Sequence, residues 1–164
     1  SGAAAVLITD GSFSGSRRRR ILGGVAQTAP ERHGLCRWGF IPRSPGGFSQ
    51  LMTTDSASVL KYGVELGWRT WEAFLRCLDW TREQVDKVIC HQVGSSHRAS
   101  ILARLGIPLE RDYVTYEYLG NMGTVSLPLT AALAEQRKFL KPGDRGGFLG
   151  IGSGLNCLML GCEW

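Results

Sequence analysis

The sequence predicts an α/β domain built on a mixed or parallel sheet, and three observations carry that expectation. Short apolar runs of strand length recur along the chain, helical patterns fall between them, and Gly- and Pro-rich connectors punctuate the alternation. At 164 residues, with 43% hydrophobic and 20% charged residues, the chain has the size and balance of one soluble globular domain with a core of its own. Residues 3–10, AAAVLITD, read as a short buried strand, and residues 11–20 as loop. Residues 21–29, ILGGVAQTA, read as a second, Gly-interrupted strand. The Gly-, Pro- and Ser-rich stretch 30–55 completes a region, residues 14–55, that reads as an irregular excursion able to serve as a lid or a partner-facing arm.

Residues 56–78 place Val59, Leu60, Tyr62, Gly63, Leu66, Gly67, Trp71, Phe74, Leu75 and Leu78 at spacings of three and four, the pattern of an amphipathic helix. Its WRTW segment reads as core packing. TREQ, residues 81–84, has the capping-box form that starts a short helix, and KVICH, residues 87–91, is the next strand. Ser95 or Ser96 is expected to cap a helix running to Leu105 and stopped by Gly106 and Pro108. Residues 113–120 read as extended. Residues 121–140 read as a turn and a helix, with Pro128 tolerable only in the first turn. Residues 146–154 and 155–164 form two closing strands around a Gly turn.

Charge and cysteine usage exclude several function classes. Of the net charge of +5, four units come from Arg17, Arg18, Arg19 and Arg20. That run reads first as a solvated loop and second as a docking patch for an acidic partner, such as coenzyme A phosphates or an acidic carrier protein. Nucleic acid is the weakest reading, since no aromatic side chains interleave with the arginines. No apolar run approaches the roughly 18 residues that span a bilayer. The five cysteines include no CxxC and no His at zinc-ligand spacing, which excludes a common metal framework and suits a reducing cytoplasm. Cys90 adjoins His91, but neighbours on a strand point to opposite faces, so His91 is not placed to serve it as a base. Cys157 and Cys162 read as small core residues.

Three signals fall in loops that follow strands: His91, Asn121 in LGNMG, and Ser153 in GIGSG. Ligands gather at the carboxyl ends of strands in α/β sheets. GIGSG is not a dinucleotide loop, because too few residues follow it for the helix and acidic strand that such a site needs. Gly152 and Gly154 instead allow a backbone N–H to approach a ligand closely. A His and an Asn that converge are able to donate to one oxygen and stabilise charge developing on a carbonyl. The plainer reading stands beside it: a lone His is commonly a satisfied core residue, and an Asn before a helix is commonly a cap. His33 and His97 look ordinary.

The order CHQVGSSH, then YLGNMGTVSLPLTAAL, then LKPGDRGGFLGIGSGLNCLMLGCEW resembles the carboxyl-terminal half of the thiolase superfamily. It is more closely similar to the ketoacyl synthase III branch, in which His-Gln precedes Gly-Asn and a Gly-rich turn. HQV with a second His six residues on, together with GIGSGLN, resembles the OleA-type acyl-CoA condensing enzymes in particular. The resemblance implies a thiolase-like half, a mixed five-stranded sheet with helices on both faces, spanning residues 1–164 and pairing with a similar amino-terminal half. It implies that His91 and Asn121 hold the thioester carbonyl of the second acyl group as it becomes an enolate. It places the backbone N–H of Ser153 in the oxyanion hole for the first acyl group.

The same resemblance puts the nucleophilic cysteine on an amino-terminal half or companion chain, so the chain is expected to begin mid-protein and to be inactive alone. Homodimers or heterodimers of such units are expected, with acyl-CoA or acyl-carrier-protein thioesters as substrates and no cofactor. The activity implied is non-decarboxylative Claisen condensation of two acyl-CoA molecules. The alternatives are a decarboxylative ketoacyl synthase III of fatty acid or polyketide synthesis, and a non-catalytic subunit of a heteromeric synthase.

Overall fold

The computed structural model describes residues 2–12 and 19–164. Strands β1 (Arg20–Thr28), β4 (Lys87–Cys90), β5 (Arg145–Gly152) and β6 (Asn156–Glu163) form a mixed sheet in the order β1-β6-β5-β4. β4 runs parallel to β5, whereas β5–β6 and β6–β1 are antiparallel. Helix α1 (Ser56–Leu78) packs across β1 and β6 and against α2 (Ser95–Leu105). On the opposite face α4 (Ser126–Gln136) covers β4 and β5. The α/β class with helices on both faces is therefore what the chain adopts.

α1 forms over the span its periodicity predicts. The Asp55 carboxylate caps it by accepting from the Ser58 N–H at 3.1 Å, and Asp79 ends it in the left-handed conformation at φ 52°. The face it buries carries Leu66, Gly67, Thr70, Trp71, Phe74 and Leu75. Trp71 and Phe74 are fully buried, stacked with centroids 5.3 Å apart, and burial of a side chain such as Phe74 stabilises by about 1.5–3 kcal/mol. Gly161 of β6 lets this layer settle on the sheet: a Cβ there would lie 2.2 Å from Leu78 Cδ1 and 3.3 Å from Phe74 Cε2.

Several local expectations are corrected. Residues 3–10 form no strand, and Val6, Leu7 and Ile8 stand 72–77% exposed. A strand needs a ladder, and β1 pairs only with β6. The main sheet accordingly has four strands among the described residues, not five. Stretch 30–55 is not irregular. A 3-10 turn at Pro30–Leu35 leads into a hairpin of β2 (Cys36–Pro42) and β3 (Phe48–Thr54), in register from Cys36↔Thr54 to Pro42↔Phe48. The signal was the pair of β-forming runs, CRWGFI and FSQLMT, on either side of Pro-Gly-Gly. Gly46 and Gly47 supply the positive φ that the turn requires.

TREQ starts no helix. Gln84 does reach back to accept the Thr81 N–H at 2.8 Å, but the chain turns directly into β4. Residues 113–120 are not extended, because α3 (Tyr116–Leu119) occupies their second half. Neither Ser95 nor Ser96 caps α2. Gly94 takes the cap position and both serines lie in the first turn, while Gly106 ends the helix at φ 70° as expected. Pro128 sits in the first turn of α4.

The glycines of the closing strands are not equivalent. G161A is expected to lower stability by about 1–3 kcal/mol, whereas G146A, whose Cβ would meet nothing closer than the Cys162 carbonyl at 3.8 Å, should cost well under that. Urea unfolding midpoints of the two variants check the difference.

Candidate functional site

The parallel pairing of β4 with β5 places the carboxyl ends of both strands at one edge of the sheet. His91 is the first residue beyond β4, and its N–H continues the ladder by donating to the Leu149 carbonyl at 2.9 Å. Ser153 is the first residue beyond β5. The α3–α4 connection delivers Asn121 to the same edge. All three line one cleft of about 800 Å³, as does Gly152. The three signals thus open onto one space, although Asn121 follows helix α3 rather than a strand, and the hairpin's Cys36, Met52 and Thr54 contribute another wall.

Local bonds determine what each group is able to offer. The Asn121 Oδ1 accepts the Gly123 N–H at 2.9 Å, which leaves the Nδ2 amide as the outward donor. The Met122 N–H is held by Ser126 Oγ at 2.9 Å, so the turn is fixed on both sides of that bond. The His91 imidazole is partly buried, and loss of water pulls its pKa below the usual histidine value. It therefore stands neutral near pH 7, with one ring nitrogen as donor and one as acceptor. In the turn after β5 the Asn156 amide donates to the Ser153 carbonyl at 2.9 Å. Gly154 does not line the cleft. At φ 136° it serves the turn, where a Cβ would strike the Asn156 side chain at 2.4 Å.

The structure adds two residues that sequence reasoning passed over. His97, in the first turn of α2, lines the cleft beside His91. Its pKa is lowered by burial and further by the His91 charge, so the two imidazoles disfavour each other's protonation. The spacing of six residues carried the signal, since a strand end and the following helix turn face one space. Cys36 is the second. Its Sγ lies 3.5 Å from Thr54 Oγ1, and the Ser153 and Thr54 hydroxyls favour its thiolate. Nothing in the sequence placed it there without the β2–β3 register. Burial instead raises the pKa of the thiols of Cys90 and Cys157, and that of Cys162 to about 11, in keeping with the reading of Cys157 and Cys162 as core residues.

The arginine run does not approach the cleft where it is described. Arg17 and Arg18 lie outside the described residues. Arg19 pairs with Glu135 and covers the Trp164 ring at 4.7 Å, and Arg20 pairs with Glu163 at 2.6 Å. Glu163 is opposite Arg145, the first residue of β5, so these two arginines occupy the end of the sheet away from Ser153. Arg19 and Arg20 thus stand apart from the cleft that His91, Asn121 and Ser153 line. Among the described residues no group of three or more His, Cys, Asp or Glu is arranged to hold a metal. No helix among them is long and apolar enough to cross a membrane.

Comparison with known proteins agrees with this geometry. Over its full length the chain is 53% identical to an acyl-CoA:acyl-CoA alkyltransferase of Shewanella oneidensis, covering 48% of that protein. It is 34% identical over 88% of its length to the Xanthomonas campestris protein of the same name, covering 40% of it. The chain thus spans about half the length of the curated relatives it matches. A crystal structure of Xanthomonas campestris OleA with bound lauric acid and lauroyl-CoA superposes with a TM-score of 0.78 at 34% identity, over 89% of this chain and 41% of that one. Residues 75–164 match the family model described as 3-oxoacyl-(acyl-carrier-protein) synthase III C terminal. That match covers every element from the end of α1 through β6, and the chain belongs to this family.

Proposed function

We propose that the chain is one half of an acyl-thioester condensing enzyme that joins two acyl-CoA molecules by a non-decarboxylative Claisen condensation. The single observation that carries this reading is the opening of His91, Asn121 and Ser153 onto one cleft. An acyl group held as a thioester on a cysteine of the companion half would be attacked by the α-carbon of a second acyl-CoA. A base removes the α-proton, the carbon–carbon bond forms, and the cysteine thiolate leaves to give a β-ketoacyl-CoA. Negative charge builds first on the carbonyl oxygen of the second thioester, where a neutral imidazole and the Asn121 amide are placed to donate. It builds next on the carbonyl of the first thioester, for which the Ser153 N–H is the candidate donor. The reaction draws on thioester chemistry alone and calls for no cofactor.

One further feature supports a companion half. The face of β1 and β6 opposite α1 is covered by no helix among the described residues near the cleft, and Leu158 on it is 49% exposed. We assign the chain to a reducing cytoplasm, a reading supported by the odd, scattered cysteine count. A decarboxylative ketoacyl synthase is the second reading, favoured by 33% identity over 104 residues to the beta-ketoacyl-(acyl-carrier-protein) synthase III of Natranaerobius thermophilus. Supplying acyl-CoA alone, with no malonyl thioester, separates the two.

In the complete protein, H91A or N121A should lower the condensation rate by about 10²–10³-fold and leave acyl loading of the companion cysteine within about twofold. Condensation at an unchanged rate in H91A would overturn the assignment.

Neutral histidines also give the fold a pH signature. The pKa values of His91 and His97 are lowered on folding, so below about pH 6.5 the unfolded chain binds protons that the folded chain does not. Their contribution to stability is complete above that pH and declines as pH falls through it. Melting temperatures measured from pH 7.5 to 5.5 should fall, and the fall should be shallower in H97Q.

A further inference from the structure

Gln92 follows His91 and is 1% exposed, and the chemistry above leaves it unused. Its polar atoms are nevertheless all engaged. Nε2 donates to the Cys90 carbonyl at 2.7 Å, while Oε1 accepts the N–H groups of Thr115 at 2.8 Å and Tyr116 at 3.1 Å. The first bond grips the last residue of β4, immediately before His91. The other two grip the start of α3, whose far end passes through Gly120 into Asn121. One buried carboxamide therefore spans the two segments that carry the proposed oxyanion donors. Thr115 Oγ1 is also 2.6 Å from Thr130 Oγ1 of α4, with both residues fully buried, so the clamp is anchored in the helix that follows Asn121.

We infer that Gln92 is the positioning residue that sets the separation between His91 and Asn121. This rests on the proposed role of those two residues. Only a carboxamide of this length supplies the set of bonds: an acceptor for two N–H groups and, on the same carbon, a donor for a carbonyl. Asn is one methylene short. Met matches the length but strands two N–H groups in an apolar interior. Glu keeps the acceptor, but its second oxygen repels the Cys90 carbonyl until the carboxyl is protonated.

The test uses the complete protein with its companion half, comparing Q92M, Q92E and H91A. Displacement of a donor by about an ångström is able to cost about 10²-fold, so Q92M should lower kcat for condensation by about 10–100-fold. The KM for the second acyl-CoA should stay within about threefold and acyl loading within about twofold. Q92E should be similarly impaired at pH 8 and recover several-fold towards pH 6, because burial raises the pKa of the introduced carboxyl and protonation restores the donor. The unsubstituted protein should show no such recovery. Condensation within twofold of normal in Q92M would overturn the inference. So would a parallel loss of loading and condensation with no recovery of Q92E, since that pattern marks a residue needed only for folding. Should Q92M fail to fold, the pH profile of Q92E decides alone. Unimpaired condensation in H91A instead removes the proposed function and leaves the clamp without a task.

Discussion

The site depends on a parallel pairing between two strands whose sequence separation is large. β4 contributes only four residues, yet Val88, Ile89 and Cys90 are all nearly or wholly buried, as a strand covered on both faces should be. Its ladder with β5 runs from Lys87↔Gly146 to Cys90↔Leu149, and the bond from His91 to Leu149 extends it by one residue. Were β4 antiparallel to β5, His91 and Ser153 would sit at opposite edges of the sheet. Parallel strands require a long crossover, and here the crossover also lines the cleft, because α2 carries His97 and the α3–α4 turn carries Asn121.

Beneath that edge a second set of bonds fixes the crossover to the strand. The Asp112 side chain, wholly buried, accepts the Cys90 N–H at 3.2 Å and Arg98 Nε at 2.7 Å. The Arg98 guanidinium also donates to the Leu109 carbonyl at 2.6 Å. Removing either partner would strand the other, and an unpaired buried charge is among the costlier defects a fold sustains. Arg98 follows His97 directly, so this ion pair fixes the start of α2 and with it the second imidazole. The histidines are thus partly shielded from water by packing and held in place by polar groups that do not enter the cleft.

How much of this was legible in the sequence follows from which interactions are local. The helical repeat around Trp71 and Phe74 is local, and α1 appeared over the span it predicts. Asn121 and Ser153 were legible as loop residues after turn-forming glycines, and their order along the chain gave the resemblance. What escaped was decided by partners distant in sequence. AAAVLITD has every local property of a strand but no neighbour to pair with among the described residues. TREQ makes half of its capping box, and packing then takes the chain into β4. The excursion read from Pro and Gly content is a hairpin, because the β-forming residues around Pro-Gly-Gly outweigh its composition. Cys36 entered the cleft wall only through that hairpin's register.

On the proposed function, the open cleft accounts for why this half of the fold would need a cover. Donors such as His91 and Asn121 stabilise a developing oxyanion strongly only where water is excluded, since the same charges interact several-fold more weakly at high dielectric. Here Ala26, Thr28 and Leu158 of the uncovered sheet face form part of the cleft wall. The hairpin meanwhile presents Trp38, Phe40 and Met52 at 60–65% exposure. Trp38 and Phe40 share one strand face with Cys36, so the apolar surface continues outward from the cleft. Apolar surface of that extent around a polar site calls for a cover. On the proposed function, a companion that brings a nucleophilic thiol would bury the same surface on docking, so that completing the catalytic set and drying the site would be one event.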